Sequence, residues 1–488
     1  MSPLLLLIVI PLVAVAFIIA GSNPRKTALG AAALNVLGFL LIAGKYRLAE
    51  GGFQFVSSVP VIPSLGICFT LGADGLSIAL LGLSVVVTLA AILVARTPQK
   101  LPGAFYASLL LISAGGIGAF ASVDAFFFYM FHELALVPTF LLIGIWGSGD
   151  RQAAAWKITI YLALGSFVLL LGLIGLYLSL PLGARTFDMR EIAALAEIGA
   201  FVPHDAVFLL LFIGFGVLVS LFPFHTWAPH AYASAPAPAA MLHAGVLKKF
   251  GLYGILRLMT PVFPEHFADR WSVLLLILVA GNILYVGFVT ISQKKLDLML
   301  GNSSVMHMGY AFLGIVAWND LGVTGAAFTL VAHGLTIAAL FALCGELRER
   351  TGTLDFAELG GLAKSMPAFG LLFGFAAMAA VGLPGFAGFA AELMVFFGAF
   401  SAGDPSLGWT TYQTLTVMAV WGVVISAVYM LRAYRKIFLG SQPSRWGGLL
   451  DLGPVPRVAV TALIALLLIF GLWPPLLLSL FSSSLILP

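Results

Sequence analysis

Apolar residues in this chain come in runs of roughly twenty, parted by short polar stretches, about the length an α-helix needs to cross a bilayer core. The pattern predicts about fourteen transmembrane helices. They lie near residues 3–21, 27–44, 75–95, 104–122, 125–146, 156–180, 206–222, 238–260, 272–291, 302–318, 322–345, 367–398, 409–434 and 457–481. Two of these runs read as broken helices. Residues 207–222 run straight into Pro223, which lacks an N–H and clashes with the preceding turn. Residues 367–398 are too long for one straight crossing and contain GLPGFAGF, around Pro384. The breaks are five crossings apart, and five is odd, so two five-helix units would run in opposite directions. Paired broken helices in inverted repeats mark transporters. The expected fold is an all-α polytopic membrane protein, with helices 1–3 in 1–103, one repeat in 104–260, a second in 261–440 and a last helix in 441–488. Between crossings, RTFDMREIAALAEIGA has helical apolar spacing and predicts a helix lying at the interface.

Composition sharpens this picture. Hydrophobic residues are 61% of the chain and charged residues 9%, with mean hydropathy +1.09, against about 25% charge in a soluble domain. A globular enzyme is excluded. The net charge of +4 is no nucleic-acid signal, because the basic residues sit in short loops between apolar runs; the expected surroundings are lipid. Loops after odd-numbered crossings hold Arg25, Lys26, Arg96, Lys100, Arg151, Lys294, Lys295, Arg348, Arg350, Lys364, Arg432, Arg435, Lys436, Arg445 and Arg457. The opposite loops hold only Lys45, Arg47, Arg185, Arg190 and Arg270. The positive-inside rule puts both termini on the non-cytoplasmic side. Met1 to Ala20 has no basic n-region and reads as a retained helix. Cys68 and Cys344 fall toward opposite faces, so neither a disulfide nor a metal site is expected. There is no P-loop, HExxH or CxxC.

Charges inside the runs carry the chemistry. Glu133 sits near the middle of the fifth run, where a charge costs about 2.5–3.5 kcal/mol to insert. A protonated glutamate in one interhelical hydrogen bond is the plain reading; a proton-path carboxylate is the functional one. His132 adjoins it, but neighbours on a helix point about 100° apart, so His132 reads as a core histidine. Lys248 and Lys249 lie deep in the eighth run, and by the same angle at most one faces Glu133. Lys157, one turn into its run, could snorkel or join a path. Arg257 reads as snorkelling outward. Asp74 and Asp297, at run ends, read as capping and solvated. His307, His333 and Glu392 are interior in three later runs, which favours a relay over isolated core residues. Gly115, Gly116 and Gly118 read as close-packing positions.

These stretches carry a resemblance. FHELALVPTFLLIGIWG, FPFHTWAPHAYASAPAPAAMLHAGVLKKFGLYGILR, KKLDLMLGNSSVMHMGYAFLGI, HGLTIAALFALCGELRERTGT, LGGL, GLPGFAGFAAELMVFFGAF and LRAYRKIFLG follow in order. The chain resembles the antiporter-like membrane subunits of respiratory complex I, the NADH–quinone oxidoreductase, in their M (chain 4) type. The resemblance implies a proton-translocating subunit, with Glu133, Lys249, His307, His333 and Glu392 on proton-path positions and Lys157 at a usual lysine site. Glu392 favours the M type over the L type, which usually has lysine there. It also implies no cofactor in this chain; NADH, FMN, iron–sulfur clusters and quinone belong to partner subunits, and L-like and N-like chains would pack on either side. Parts of the pattern are shared with multisubunit Na⁺/H⁺ antiporters and hydrogenase-type assemblies, which are the alternatives. One departure stands out. The family's seventh-helix lysine, partner of the fifth-helix glutamate, is Leu218 here. Lys248 is the first candidate to replace it, then Lys157 or His225.

Overall fold

The computed structural model describes residues 2–403, 406, 408–482 and 484–485. Most helices of its first half begin on a side chain that accepts a first-turn amide, or on proline, which has no N–H to leave unpaired. They are α1 (Pro3–Ile19), α2 (Pro24–Lys45), α3 (Gly75–Val94), α4 (Pro102–Ala121), α5 (Ala125–Trp146), α6 (Arg151–Ser179), α7 (Met189–Glu197) and α8 (Asp205–Val219). Ser2, Asn23, Asp74, Asp124, Asp150, Asp188 and His204 are the capping side chains. α7 falls inside the stretch expected to lie at the interface. Expected close packing is seen at Gly115 and Gly118 of α4, where an added Cβ would meet the Phe131 carbonyl or ring of α5.

The second half follows as α9 (Trp227–Ser234), α10 (Ala237–Leu242), α11 (Lys249–Gly254), α12 (Thr260–Val262), α13 (Ser272–Ala280), α14 (Val286–Ser292), α15 (Leu296–Val316), α16 (Asp320–Thr351), α17 (Pro367–Val381), α18 (Ala387–Phe400), α19 (Thr411–Phe438), α20 (Pro454–Leu472) and α21 (Pro475–Phe481). The expected continuous helix over 238–260 is instead α10 to α12 joined by two wide π-turns, His243–Leu247 and Ile255–Met259. In the first, the Lys248 N–H reaches back five residues to the His243 carbonyl at 2.9 Å, which turns the following lysines off a regular α-helical register. Among the described residues nine helices are long and apolar enough to cross a membrane, and α1, α8, α17 and α18 are shorter apolar helices. α16 is the spine. It packs against α3, α10, α15, α17, α18 and α20, and His333 and Thr336 lie buried near its middle.

Both predicted breaks are present, and both begin with the same cap. α8 stops at Val219, three residues before the expected Phe222, because Ser220 turns left-handed at φ 65°. The Ser220 N–H then bonds the Val217 carbonyl at 3.1 Å and the Leu221 N–H bonds Gly216 at 2.7 Å. α17 ends likewise on Gly382 at φ 75°, with Gly382 N–H on Ala379 at 3.3 Å and Leu383 N–H on Met378 at 3.2 Å. This motif satisfies two of the carbonyls a helix end leaves unpaired. At the first break the buried Asn282 takes the Phe222 N–H and donates to the Val305 carbonyl of α15 at 3.0 Å.

One element was not foreseen. The run pattern predicts no element between 44 and 75, yet Gln54–Ile62 (β1) and Ile67–Ala73 (β2) pair as an antiparallel hairpin. Pro60 and Pro63 hide it in the sequence, since proline demotes a strand reading. The isolated ribbon tolerates Pro60 opposite Cys68. Asp124 pins the hairpin to α5, its carboxylate accepting the Cys68 N–H at 3.1 Å along with Phe126 and Phe127.

Candidate functional site

A polar thread runs between the helices around α16. Lys249 and Lys248 are both fully buried. Lys249 Nζ donates to the Ala244 carbonyl at 2.6 Å and meets His333 Nδ1 at 2.7 Å. With no carboxylate beside them among the described residues, amine and imidazole are two bases that can hold one proton between them. The His333 ring lies 5.9 Å from that of His307 on α15. His307 Nδ1 is 2.8 Å from the Ser303 carbonyl, and Nε2 is 2.9 Å from the Ala380 carbonyl on the last turn of α17. His307, His333, Ser303, Thr329, Thr336 and Glu392 line one internal cavity of about 30 Å³, room for roughly two waters. Glu392 lies against the second break, since a Cβ on Gly382 would collide with its Oε2. Sequence reasoning had named all four of Lys249, His333, His307 and Glu392, and the structure brings them to one place.

Lys248 goes elsewhere. Its Nζ donates to Ser304 of α15 at 3.2 Å and lies 5.6 Å from the centre of the Tyr232 ring. Tyr232 in turn meets His243 Nδ1 at 3.3 Å. On the side of the basic loops, a polar vestibule of about 570 Å³ is lined by Asp150, Lys157, His230, Lys295, Asp297 and Arg348. Lys157 faces this vestibule. Asp297 is ion-paired to Arg348 at 2.6 Å rather than simply solvated.

Glu133 stands apart from the thread. Its carboxylate accepts a short hydrogen bond from Ser166 of α6 and lies 3.5 Å from His132 Nδ1, with its side chain 32% exposed. None of the candidates for the missing lysine touches Glu133: Lys248 bonds Ser304 and Lys157 faces the vestibule. His225 packs against Phe222 and Tyr285, and its Nδ1 has no hydrogen-bond partner among the described residues. Leu218 is buried, and Val217 beside it packs on Gly165, the neighbour of Ser166. His132 is buried with its ring 4.4 Å from that of Phe250, as a core histidine should be; its Nδ1 comes within 3.5 Å of the Glu133 carboxylate without a hydrogen bond.

Arg257 also departs from expectation. It does not snorkel; it is ion-paired to Asp74, with side-chain exposures of 9% and 2%. Its guanidinium lies 5.1 Å from the rings of both Phe53 and Tyr253. Tyr253 hydrogen-bonds Ser77 at 3.0 Å. Asp74 therefore caps α3, as read, but is buried rather than solvated. Sequence reasoning missed Ser303 and Tyr429, whose hydroxyls lie 2.8 Å apart beside His307. Neutral hydroxyls in apolar runs carry no insertion penalty large enough to flag them.

Residues 122–433 match the family model described as NADH:quinone oxidoreductase/Mrp antiporter, TM. NAD(P)H-quinone oxidoreductase chain 4 2 of Microcystis aeruginosa is 38% identical over 435 residues, 87% of this chain and 76% of that protein. NADH-quinone oxidoreductase subunit M of Rickettsia felis is 32% identical over 453 residues, 92% of this chain and 89% of that one. Among solved structures, a chain of respiratory complex I from Thermus thermophilus with bound NADH superposes with TM-score 0.88 at 30% identity, covering 98% of both chains. By these matches the chain belongs to the NADH:quinone oxidoreductase/Mrp antiporter family of membrane subunits, among the proteins called chain 4 or subunit M.

Proposed function

We propose that this chain is a proton-translocating membrane subunit of an NADH–quinone oxidoreductase. NADH oxidation and quinone reduction, with FMN and iron–sulfur clusters, belong to partner subunits, and L-like and N-like chains flank this one in the cell membrane of a bacterium. The chain crosses about fourteen times in two inverted repeats, with both termini on the non-cytoplasmic side. The observation that carries the reading is the run Lys249–His333–cavity–His307–Glu392. Four ionisable groups share one thread across four helical segments in an apolar interior, where each is costly and marks an ion or proton path by default. Lys157 and the vestibule would supply protons from the cytoplasmic side, with Lys248 and Glu133 in the first half of the chain. Coupled buried groups of this kind exchange protons when a neighbouring charge changes.

The test is NADH-driven proton uptake by inverted membrane vesicles, with NADH oxidation and subunit assembly followed alongside. Glu392→Gln should assemble and lose coupled pumping about a hundredfold or more, the low end of what a positioned proton-transfer group contributes, about 10²–10⁴-fold. If NADH drives no proton uptake in the wild type, the chain serves an antiporter or another redox assembly instead.

A further inference from the structure

The second break leaves one backbone carbonyl with a specific deficit. In a continuing helix the Ala380 carbonyl would accept from the N–H of residue 384. Residue 384 is proline and has none. The turn at Gly382 satisfies Ala379 and Met378, not Ala380. His307 Nε2, 2.9 Å away on α15, fills the gap. The other nitrogen, Nδ1, also faces a carbonyl, that of Ser303 at 2.8 Å. Carbonyl oxygens only accept, and a neutral imidazole has a single N–H. Both contacts are hydrogen bonds only when both ring nitrogens carry protons. With one proton gone, a lone pair opposes a carbonyl lone pair, and the Ser303 hydroxyl, 3.5 Å from Nδ1 and engaged with Tyr429, is too far to compensate.

We propose that His307 is the latch of the second helix break: doubly protonated, it holds the Ala380 carbonyl through Nε2–H; on losing the Nε2 proton to Glu392 through the shared cavity and keeping the one on Nδ1, it releases that carbonyl and loosens the segment 380–386 on which Glu392 rests. One N–H bond of the imidazolium breaks and one O–H bond of the glutamic acid forms, so charge and protons balance. His307 is here a positioning residue as well as a carrier. Proton transfer would thereby be tied to movement of the break, so that Glu392 receives a proton as its backbone support relaxes. The groups facing His307 are His333 on α16, Glu392 on α18, Tyr310 on its own helix, Tyr429 on α19, and Lys248 and Lys249 beyond them. The proposal rests on the proton-translocation reading only in taking His307 to lose protons during turnover.

Hydrogen exchange of the assembled complex tests it, reading amide protection at Gly382 and Leu383, corrected for intrinsic rates. Wild type should lose protection severalfold as the medium is raised from acid through neutral, as His307 gives up its second proton. His307→Gln, whose amide donates to Ala380 at any pH, should be flat and protected. His307→Ala should be flat and unprotected, and Glu392→Gln should keep the wild-type pH dependence. Protection in the wild type that does not change with pH overturns the latch, whatever pumping does. So does pH dependence that survives in His307→Gln or vanishes in Glu392→Gln. If the pattern holds while His307→Gln still pumps protons, the pH-dependent hold on the Ala380 carbonyl stands but its tie to proton transfer is overturned.

Discussion

A lysine with zero exposure and no carboxylate partner, such as Lys249, is the kind of residue a sequence announces. Its insertion penalty is too large to be accidental, which is why Lys249, His307, His333 and Glu392 were legible from the chain alone. Their partners were not. Which hydroxyl or carbonyl each group meets depends on helix rotation, and rotation here is altered by π-turns with no local sequence mark. Glu133 shows the consequence, since its contacts are Ser166, Tyr129 and His132 rather than a lysine. Removing its charge should still matter if it lies in the path: Glu133→Ala should lower pumping and NADH oxidation together, with assembly intact, as followed in the vesicle assay. Arg257 and Asp74 make a different prediction. Leaving one member of a buried ion pair uncompensated costs about 3–5 kcal/mol. Arg257→Gln should therefore lower the thermal stability of the purified assembly sharply, and Asp74→Asn combined with it should restore part of the loss, because asparagine can still cap α3.

At the scale of elements, the breaks were readable because proline at a helix end has one physical meaning, whereas the hairpin was not, because proline inside a strand argues against a strand. Where each break begins was set by a residue in the left-handed conformation, Ser220 or Gly382, and the misplaced end of α8 came from reading Pro223 as the breaker. Gly382 can be tested against a control that shares its backbone strain. Gly382→Ala adds a Cβ that collides with Glu392, while Gly440, at φ 88° with nothing within 4 Å, isolates the strain of a side chain in that conformation, about 1–2 kcal/mol. Gly382→Ala should cost at least as much stability as Gly440→Ala by thermal denaturation of the complex, and only Gly382→Ala should also abolish coupled proton uptake. On α5, Asp124→Ala removes the acceptor shared by Cys68, Phe126 and Phe127. Loss of such a cap costs about 0.5–2 kcal/mol and should show as faster hydrogen exchange confined to the hairpin and the first turn of α5.

For the molecule as a whole, one arrangement organises the rest. α16 is buried along its apolar length, and the ionisable thread runs past its midpoint at His333. The polar vestibule opens on the side of the basic loops, and the Arg257–Asp74 pair with the hairpin is built from the opposite connections. Glu133, by contrast, sits where α5 and α6 present Val137, Trp156, Ile160 and Leu164 outward, a surface for lipid or a flanking subunit. The general architecture was legible because apolar run length and loop charge are properties of the whole chain. The convergence on α16 was not, because it depends on which helices pack together. The most direct test of the account is the proton-to-electron ratio of NADH oxidation in inverted vesicles carrying Lys249→Ala. The account predicts an assembled complex whose proton uptake per NADH falls below wild type or whose coupled turnover collapses. An assembled Lys249→Ala complex that oxidises NADH and takes up protons at the wild-type ratio and rate would contradict it.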